Sequence, residues 1–254
     1  MSELQKKISR IQRREGPRMG FSQAVREQPR AMLLGAFAEN GEAALAAHAA
    51  GADVIIFSGA DVEAVATHAL RLKDSKITFG ARLGTLGEAG AASLVDQGCD
   101  FVISSLGGTA AAAVDTDRMG HVVEADSSMD DSTLRSLAPL GLDALYVHHT
   151  NDEMSLGQQL ELVRIASFAS TPLFVSAPAN TGVSDLRVLR DSGCAVVVLP
   201  SSATASDITA FGERLQAVPA PRKGKRESGR DIAIVPTSAA GSHEHEGDDD
   251  DGDE

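Results

Sequence analysis

The chain has no Trp, a single Tyr and an aromatic content of only 4%. Its 254 residues are enough for one large domain or two small ones. With so few rings, the core has to be built from Ala, Val, Leu and Ile. These pack tightly layered helices and strands more readily than they line an aromatic binding groove. There are two cysteines, Cys99 and Cys194, each directly after a glycine and before a run of β-formers. That is a buried context, and two such thiols point to a reducing compartment rather than a disulfide framework. No apolar stretch reaches the ~20 residues a membrane span needs. The N-terminus has no apolar signal core. A cytoplasmic location is therefore expected. Lysine is also scarce: Lys73 and Lys76 are the only ones between residues 31 and 219.

The formal charge of −13 is unevenly spread. Residues 243–254, HEHEGDDDDGDE, hold eight acidic groups and no Lys or Arg, which leaves −5 for the rest. Residues 1–30 hold eight Lys/Arg against three Glu, and RKGKRESGR (222–230) holds five against one. A segment of this composition after residue 218 is expected to be a solvated, disordered acidic tail. The basic segments are short and an acidic run competes with them, so nucleic acid is a poor candidate partner.

Four times the chain writes a glycine followed by a strand-like run: GADVIIFSG from Gly51, GCDFVISSL from Gly98, GLDALYVHH from Gly141 and GCAVVVLPSS from Gly193. The glycines lie 47, 43 and 52 residues apart, with one further apolar run in each gap. Eight strands follow, near 32–38, 53–58, 77–83, 101–105, 121–125, 144–148, 172–177 and 195–199. Helical patterns such as 40–51, 87–98, 155–169 and 183–193 separate them, the last with Ser184 able to cap its start. Strand–helix alternation with short connections predicts parallel strands closed into a (β/α)8 TIM barrel over residues 31–218. An open doubly wound sheet is the weaker alternative, because no G-x-G-x-x-G follows the first strand. Residues 1–30 are expected to be a helical extension, amphipathic over 2–15 with Leu4, Ile8 and Ile11 on one face. A second short helix is expected from Phe21 to Glu27. The extension would close the bottom of the barrel or join copies of the chain into a homo-oligomer. The acidic residues Asp53, Asp100 and Asp143 would lie at the bottom rim, where they serve stability. Residues 219–254 form the basic linker and acidic tail, with DIAIVP (231–236) as a short strand or clip.

The segment TPLFVSAPANTGVSDLRVLRDSGCAVVVLPSSA (171–203) resembles the seventh and eighth units of ribulose-phosphate-binding, aldolase-type barrels. Keto-deoxy-phosphogluconate aldolases, hexulose-phosphate synthases and tryptophan-pathway barrels belong to this group. GADVIIFSG and GLDALYVHH are similar to other units of the same families. The resemblance implies an enzyme of the lyase or isomerase kind acting on a phosphorylated metabolite. Those families place glycine pairs after the seventh and eighth strands, where backbone N–H groups approach a phosphate. Here the positions read SAPANTG and LPSSA. Ser201 and Ser202, with Asn180, Thr181 and Gly182 opposite, would bind an anion there or serve only as turn and capping residues.

In such a barrel the working side chains project from the C-terminal strand ends. Aligning the four repeats puts Ser58, Ser105, His148 and Pro200 at equivalent positions, above an inward layer of Ile56, Ile103, Tyr146 and Val198. The odd strands would add Glu39 or Asn40, Arg82, Glu124 or Asp126, and Ser176. A Schiff-base mechanism needs an amine inside the barrel, and both candidate lysines precede the third strand, on the wrong side. A metal site drawn from His148, His149, Asp152, Glu124 and Asp126 is disfavoured, because adjacent residues on a strand point to opposite faces. No cofactor is expected. Ser104 and Ser105 lack the nucleophile-elbow context.

The remaining chemistry is an acid–base pair of His148 with Glu124. Arg82, Asn180, Ser176, Ser201, Ser202, Ser58 and Ser105 are candidates for holding a small anionic substrate. Two readings stand: an enzyme that moves protons or breaks carbon–carbon bonds in a small anionic metabolite, or a catalytically degenerate barrel used for binding or assembly. The balance tips slightly to the enzyme.

Overall fold

The computed structural model describes residues 1–12, 30–59, 61–72, 75–149 and 153–219. The expected helix at Phe21–Glu27, the clip at 231–236, the tail and Asp152 lie outside them. Helix α1 (Glu3–Gln12) precedes eight strands: β1 (Leu33–Ala38), β2 (Val54–Ser58), β3 (Phe79–Leu83), β4 (Phe101–Ser104), β5 (Gly120–Ala125), β6 (Ala144–Val147), β7 (Leu173–Ser176) and β8 (Cys194–Leu199). All pair in parallel with their sequence neighbours, and β8 pairs with β1 to close the barrel. Among the described residues, seven further α-helices cover it: α2 (Gly41–Ala49), α3 (Val62–Ala69), α4 (Glu88–Asp96), α5 (Asp131–Leu137), α6 (Leu156–Ala169), α7 (Val183–Asp191) and α8 (Ala205–Ala217). No helix follows β4; residues 105–119 cross to β5 as turns, tied by a bridge between Leu86 and Thr109.

The four repeat glycines explain the spacing that announces this fold. Gly51, Gly98, Gly141 and Gly193 have φ of 105°, 82°, 68° and 95°. Each turns the chain from a helical segment into the next strand through a left-handed conformation that costs other residues more. Helix starts are set by side chains: Asn40, Asp61, Asp130, Ser155 and Thr204 cap α2, α3, α5, α6 and α8. The start of α7 differs from expectation. Gly182 is its N-cap, without a side-chain hydrogen bond, and Ser184 already lies inside the helix.

Two apolar layers result. One lies between the strands and the helix ring; the other fills the barrel itself with Leu33, Val54, Ile56, Phe101, Ile103, Val122, Ala144, Tyr146, Phe174, Val196 and Val198. The inner layer takes in the expected Ile56, Ile103, Tyr146 and Val198. Large rings fit because other strands give way. A Cβ on Gly80 would sit 2.5 Å from the Phe101 ring, closer than real contacts allow.

Helix α1 closes the bottom. Leu4 and Ile8 are buried in the inner cluster, with Ile11 packed against it. The rim acids hold the helix there. Asp100 accepts from the backbone N–H groups of Glu3 and Leu4 at 2.7 and 2.8 Å, satisfying the first orphan donors of the helix. Ser2 donates to Asp143 at 2.7 Å, and Lys7 donates to the Asp53 carbonyl at 2.6 Å. Gly120 leaves room for this: a Cβ there would lie 2.3 Å from Asp143 Oδ2. Burial raises the Asp143 carboxyl above its ordinary range, against the pull of the Ser2 hydroxyl.

Candidate functional site

The opposite, C-terminal end of the strands opens into a cavity of about 410 Å³. Phe37, Ser58, Arg82, Tyr146, His148 and Pro200 form much of its wall, with His149, Ser176, Ala177, Pro178 and Ser201. Strand register sets the arrangement. It places Arg82 beside Ser58 and Glu124 beside Tyr146 on neighbouring strands. The aliphatic layer below (Ile56, Ile103, Val198) is fully buried, so the polar groups sit on a dry floor.

Arg82 Nε donates to Glu124 Oε1 at 2.7 Å, and both side chains keep about a third of their surface exposed (37% and 33%). The guanidinium lies 5.1 Å from the Tyr146 ring centroid and 6.0 Å from that of Phe37. Guanidinium carries five N–H donors in a fixed fork, of which this ion pair uses the one at Nε. Glu124 therefore orients Arg82. The expected pairing of Glu124 with His148 is replaced, among the described residues, by this ion pair and a separate histidine clamp.

That clamp is centred on Ser176. Its hydroxyl accepts from the His149 backbone N–H at 2.8 Å, donates to the His149 carbonyl at 3.0 Å and stands 3.1 Å from His148 Nδ1. A hydroxyl has one proton. When the carbonyl takes it, His148 Nδ1 must be the donor toward Ser176, and the lone pair falls on Nε2. Tyr146 Oη lies 3.4 Å from the same Nδ1. Burial pushes the Tyr146 phenol up, opposed by the Arg82 charge and a hydrogen bond to Ser176, so it stays a protonated donor. Ser176 thus spends its hydrogen-bonding capacity inside the protein, as a support for His148.

The other candidates are placed as follows. Ser58 and Ser201 line the cavity. Ser105 donates to the Gly84 carbonyl and accepts from Gly108 N–H, fastening the turn after β4. Asn180 and Ser202 are exposed and are not among the lining residues. At the start of α8, Thr204 and Asp207 form a capping box, so a carboxylate already occupies that helix end. Thr181 donates to the Pro178 carbonyl within the β7–α7 turn. Asn40 caps α2, Glu39 is exposed, and β1 supplies Phe37 to the mouth instead. Asp126 holds Ser128 in a turn, which keeps its carboxyl low.

Two contributions escaped the sequence reading. Phe37 was obscured because the first strand lies outside the four-fold repeat, so its register had no internal reference. His121 lies within β5, its Nε2 3.0 Å from the fully buried Ser104, and the two form a hydrogen-bonded pair on strand residues alternate to the inward set. Burial pushes this imidazole below its ordinary 6.5. Among the described residues, no cluster of three or more His, Cys, Asp or Glu is arranged to hold a metal ion.

Solved structures share this architecture. Tryptophan synthase from M. tuberculosis superposes with a TM-score of 0.58 at 13% identity, covering 74% of this chain and 92% of that one. Phosphoribosyl anthranilate isomerase from Thermus thermophilus gives 0.55 at 14%, covering 74% and 100%. KGPDC from Streptococcus mutans gives 0.59 at 12%, covering 74% and 98%. At such identity the likeness establishes the fold, the closed parallel β/α barrel these proteins share. No family model and no curated protein matches the chain.

Proposed function

We propose that this barrel is an enzyme of the isomerase or lyase kind, moving a proton on a small anionic, phosphorylated metabolite. The observation that carries the reading is the convergence of Arg82, Tyr146 and His148 on one open cavity at the strand C-termini. That end of the fold is where barrel enzymes do their chemistry. His148, with Nδ1 committed to Ser176, offers Nε2 as a general base. Arg82, oriented by Glu124, offers its remaining donors to a substrate carboxylate or phosphate. Tyr146, kept protonated beside the guanidinium, supplies a hydrogen bond to an oxygen that gains charge as the proton leaves. Ser201 and Ser58 extend the polar wall. The phosphorylated substrate is suggested by the fold and by the name of the isomerase it resembles. The two thiols, buried and unpaired, support a cytoplasmic setting; no described helix is long and apolar enough to cross a membrane.

A thermal-shift screen with sugar phosphates and keto acids tests the reading. At least one compound should raise the melting temperature, and Arg82→Ala should abolish the shift. His148→Ala should retain it while lowering turnover about 10²- to 10⁴-fold. No shift with any compound, or one that survives Arg82→Ala, would count against the assignment.

A further inference from the structure

Arg82 and His148 stand around one ring. Arg82 Cζ lies 5.1 Å from the Tyr146 ring centroid, and the His148 ring centroid lies 6.4 Å from it. Whatever their directions, the guanidinium and the imidazole are separated by no more than the sum of these two distances. Both line the same cavity, so a substrate that touches both occupies the gap between them. Hydrogen bonds of ~2.8 Å on the Arg82 side and a nitrogen-to-carbon approach of ~3–3.5 Å on the His148 side fill most of that gap. At most about 3 Å is left between the central atom of an oxyanion and the carbon that gives up its proton, a little more than the ~2.5 Å that two bonds span.

The side of the cavity formed after β7 and β8 gives an anion little to hold. Barrels often bind phosphate there through backbone N–H groups. Here Pro178 and Pro200 line that side, and proline has no N–H. The N–H groups of Ala177, Thr181 and Ala203 donate to the Val198, Pro178 and Pro200 carbonyls, and that of Thr204 donates to the Asp207 carboxylate. The first turns of α7 and α8 carry Asp185 and Asp207, whose charges oppose another anion. Among the described lining residues Arg82 is the only Lys or Arg, and Glu124 balances its charge. The free edge of the guanidinium can take one oxyanion, and a second anionic group would find no partner.

We propose that the substrate is a short molecule with a single oxyanion, placed two or at most three bonds from the carbon that loses its proton, and that its other end, against Pro178 and Pro200, is uncharged. The proposal rests on the isomerase or lyase reading above and adds to it the position of the reacting carbon. In a phosphorylated substrate that carbon bears the phosphate ester or is its immediate neighbour. In a keto acid it lies two bonds from the carboxylate carbon. As the C–H bond breaks, the proton passes to His148 Nε2 and the electron pair into the adjacent carbonyl, whose oxygen accepts from Tyr146. In deuterium oxide the imidazole exchanges that proton with solvent and returns a deuteron to the same carbon.

Proton NMR of this exchange, with the full chain in deuterium oxide, reads the preference within single molecules. In dihydroxyacetone phosphate both methylenes adjoin the carbonyl, one two bonds from phosphorus and the other four. Levulinate offers the same choice between the methylene beside its ketone, two bonds from the carboxylate carbon, and the terminal methyl, four bonds away. In at least one compound the near carbon should exchange more than about tenfold faster than the far one. The compound that does so identifies the anion as phosphate or carboxylate. His148→Gln should slow the exchange about 10²- to 10⁴-fold. Arg82→Gln should erase the preference for the near carbon, and the far-ultraviolet dichroism should be unchanged in both variants. Exchange led by the far carbon, or equal at both, overturns this proposal and leaves the proton-transfer reading standing. No exchange above the buffer rate in either compound overturns both.

Discussion

His148 and His121 show how much an imidazole owes to its surroundings. His148 stands exposed at the mouth with one nitrogen tied to Ser176, an arrangement suited to passing a proton. His121 is partly buried against Ser104, and its charged form is disfavoured by burial. The sign of its linkage to stability follows. With a folded pKa below 6.5, His121 takes up a proton in the unfolded chain before it does so in the folded one. The stability it allows is complete above about pH 6.5 and is lost as the pH falls toward the depressed folded value. Urea titrations at a series of pH values should show this acid-side decline. His121→Gln, which keeps a polar partner for Ser104, should flatten it between pH 6.5 and the onset of carboxylate protonation. An unchanged decline would assign the acid sensitivity elsewhere, with the rim acids the first place to look.

Each strand carries two messages, one for its own register and one for its neighbour. Gly80 is buried and faces Phe101, whose ring occupies the space a side chain would need. Gly80→Ala should destabilise by about 1–3 kcal/mol, read as a lower urea midpoint at constant slope. Phe101→Leu in the same chain should recover part of the loss, because the clash and the ring are one interaction. The positions of the strands were legible because Gly51, Gly98, Gly141 and Gly193 must adopt positive φ, a constraint written directly into residue type. The strand-end residues Arg82, Glu124 and His148 were legible from the period-two alternation that follows from those starts. Their pairing was not. Whether Glu124 meets Arg82 or His148 depends on stagger between strands 42 residues apart in one case and 24 in the other, which no local pattern encodes. The missing helix after β4 was hidden for a related reason. The Ala-rich run 110–114 suits a helix as well as a turn, and the bridge from Leu86 to Thr109 decides between them.

At the scale of the whole molecule, the barrel is closed twice: laterally where β8 meets β1, and at its base where α1 seals the inner layer. Removing Leu4, fully buried there, leaves a cavity under the strands, and Leu4→Ala should cost about 2–5 kcal/mol. The timing of that loss is informative. Helix α1 is synthesised long before its receptors; its N-terminal N–H groups wait for Asp100, 97 residues downstream of Glu3, and Ser2 waits for Asp143, 141 residues away. Contacts that distant in sequence carry a large loop-closure cost and form after the local ones. The seat of the helix also includes β8, the last strand to emerge. On the ribosome, then, the first helix spends most of translation with its apolar face unsheltered, and its docking marks completion of the barrel. Leu4→Ala should accordingly accelerate unfolding and leave the refolding rate almost unchanged in stopped-flow experiments. A variant that instead slows refolding would make α1 part of the nucleus rather than the final latch.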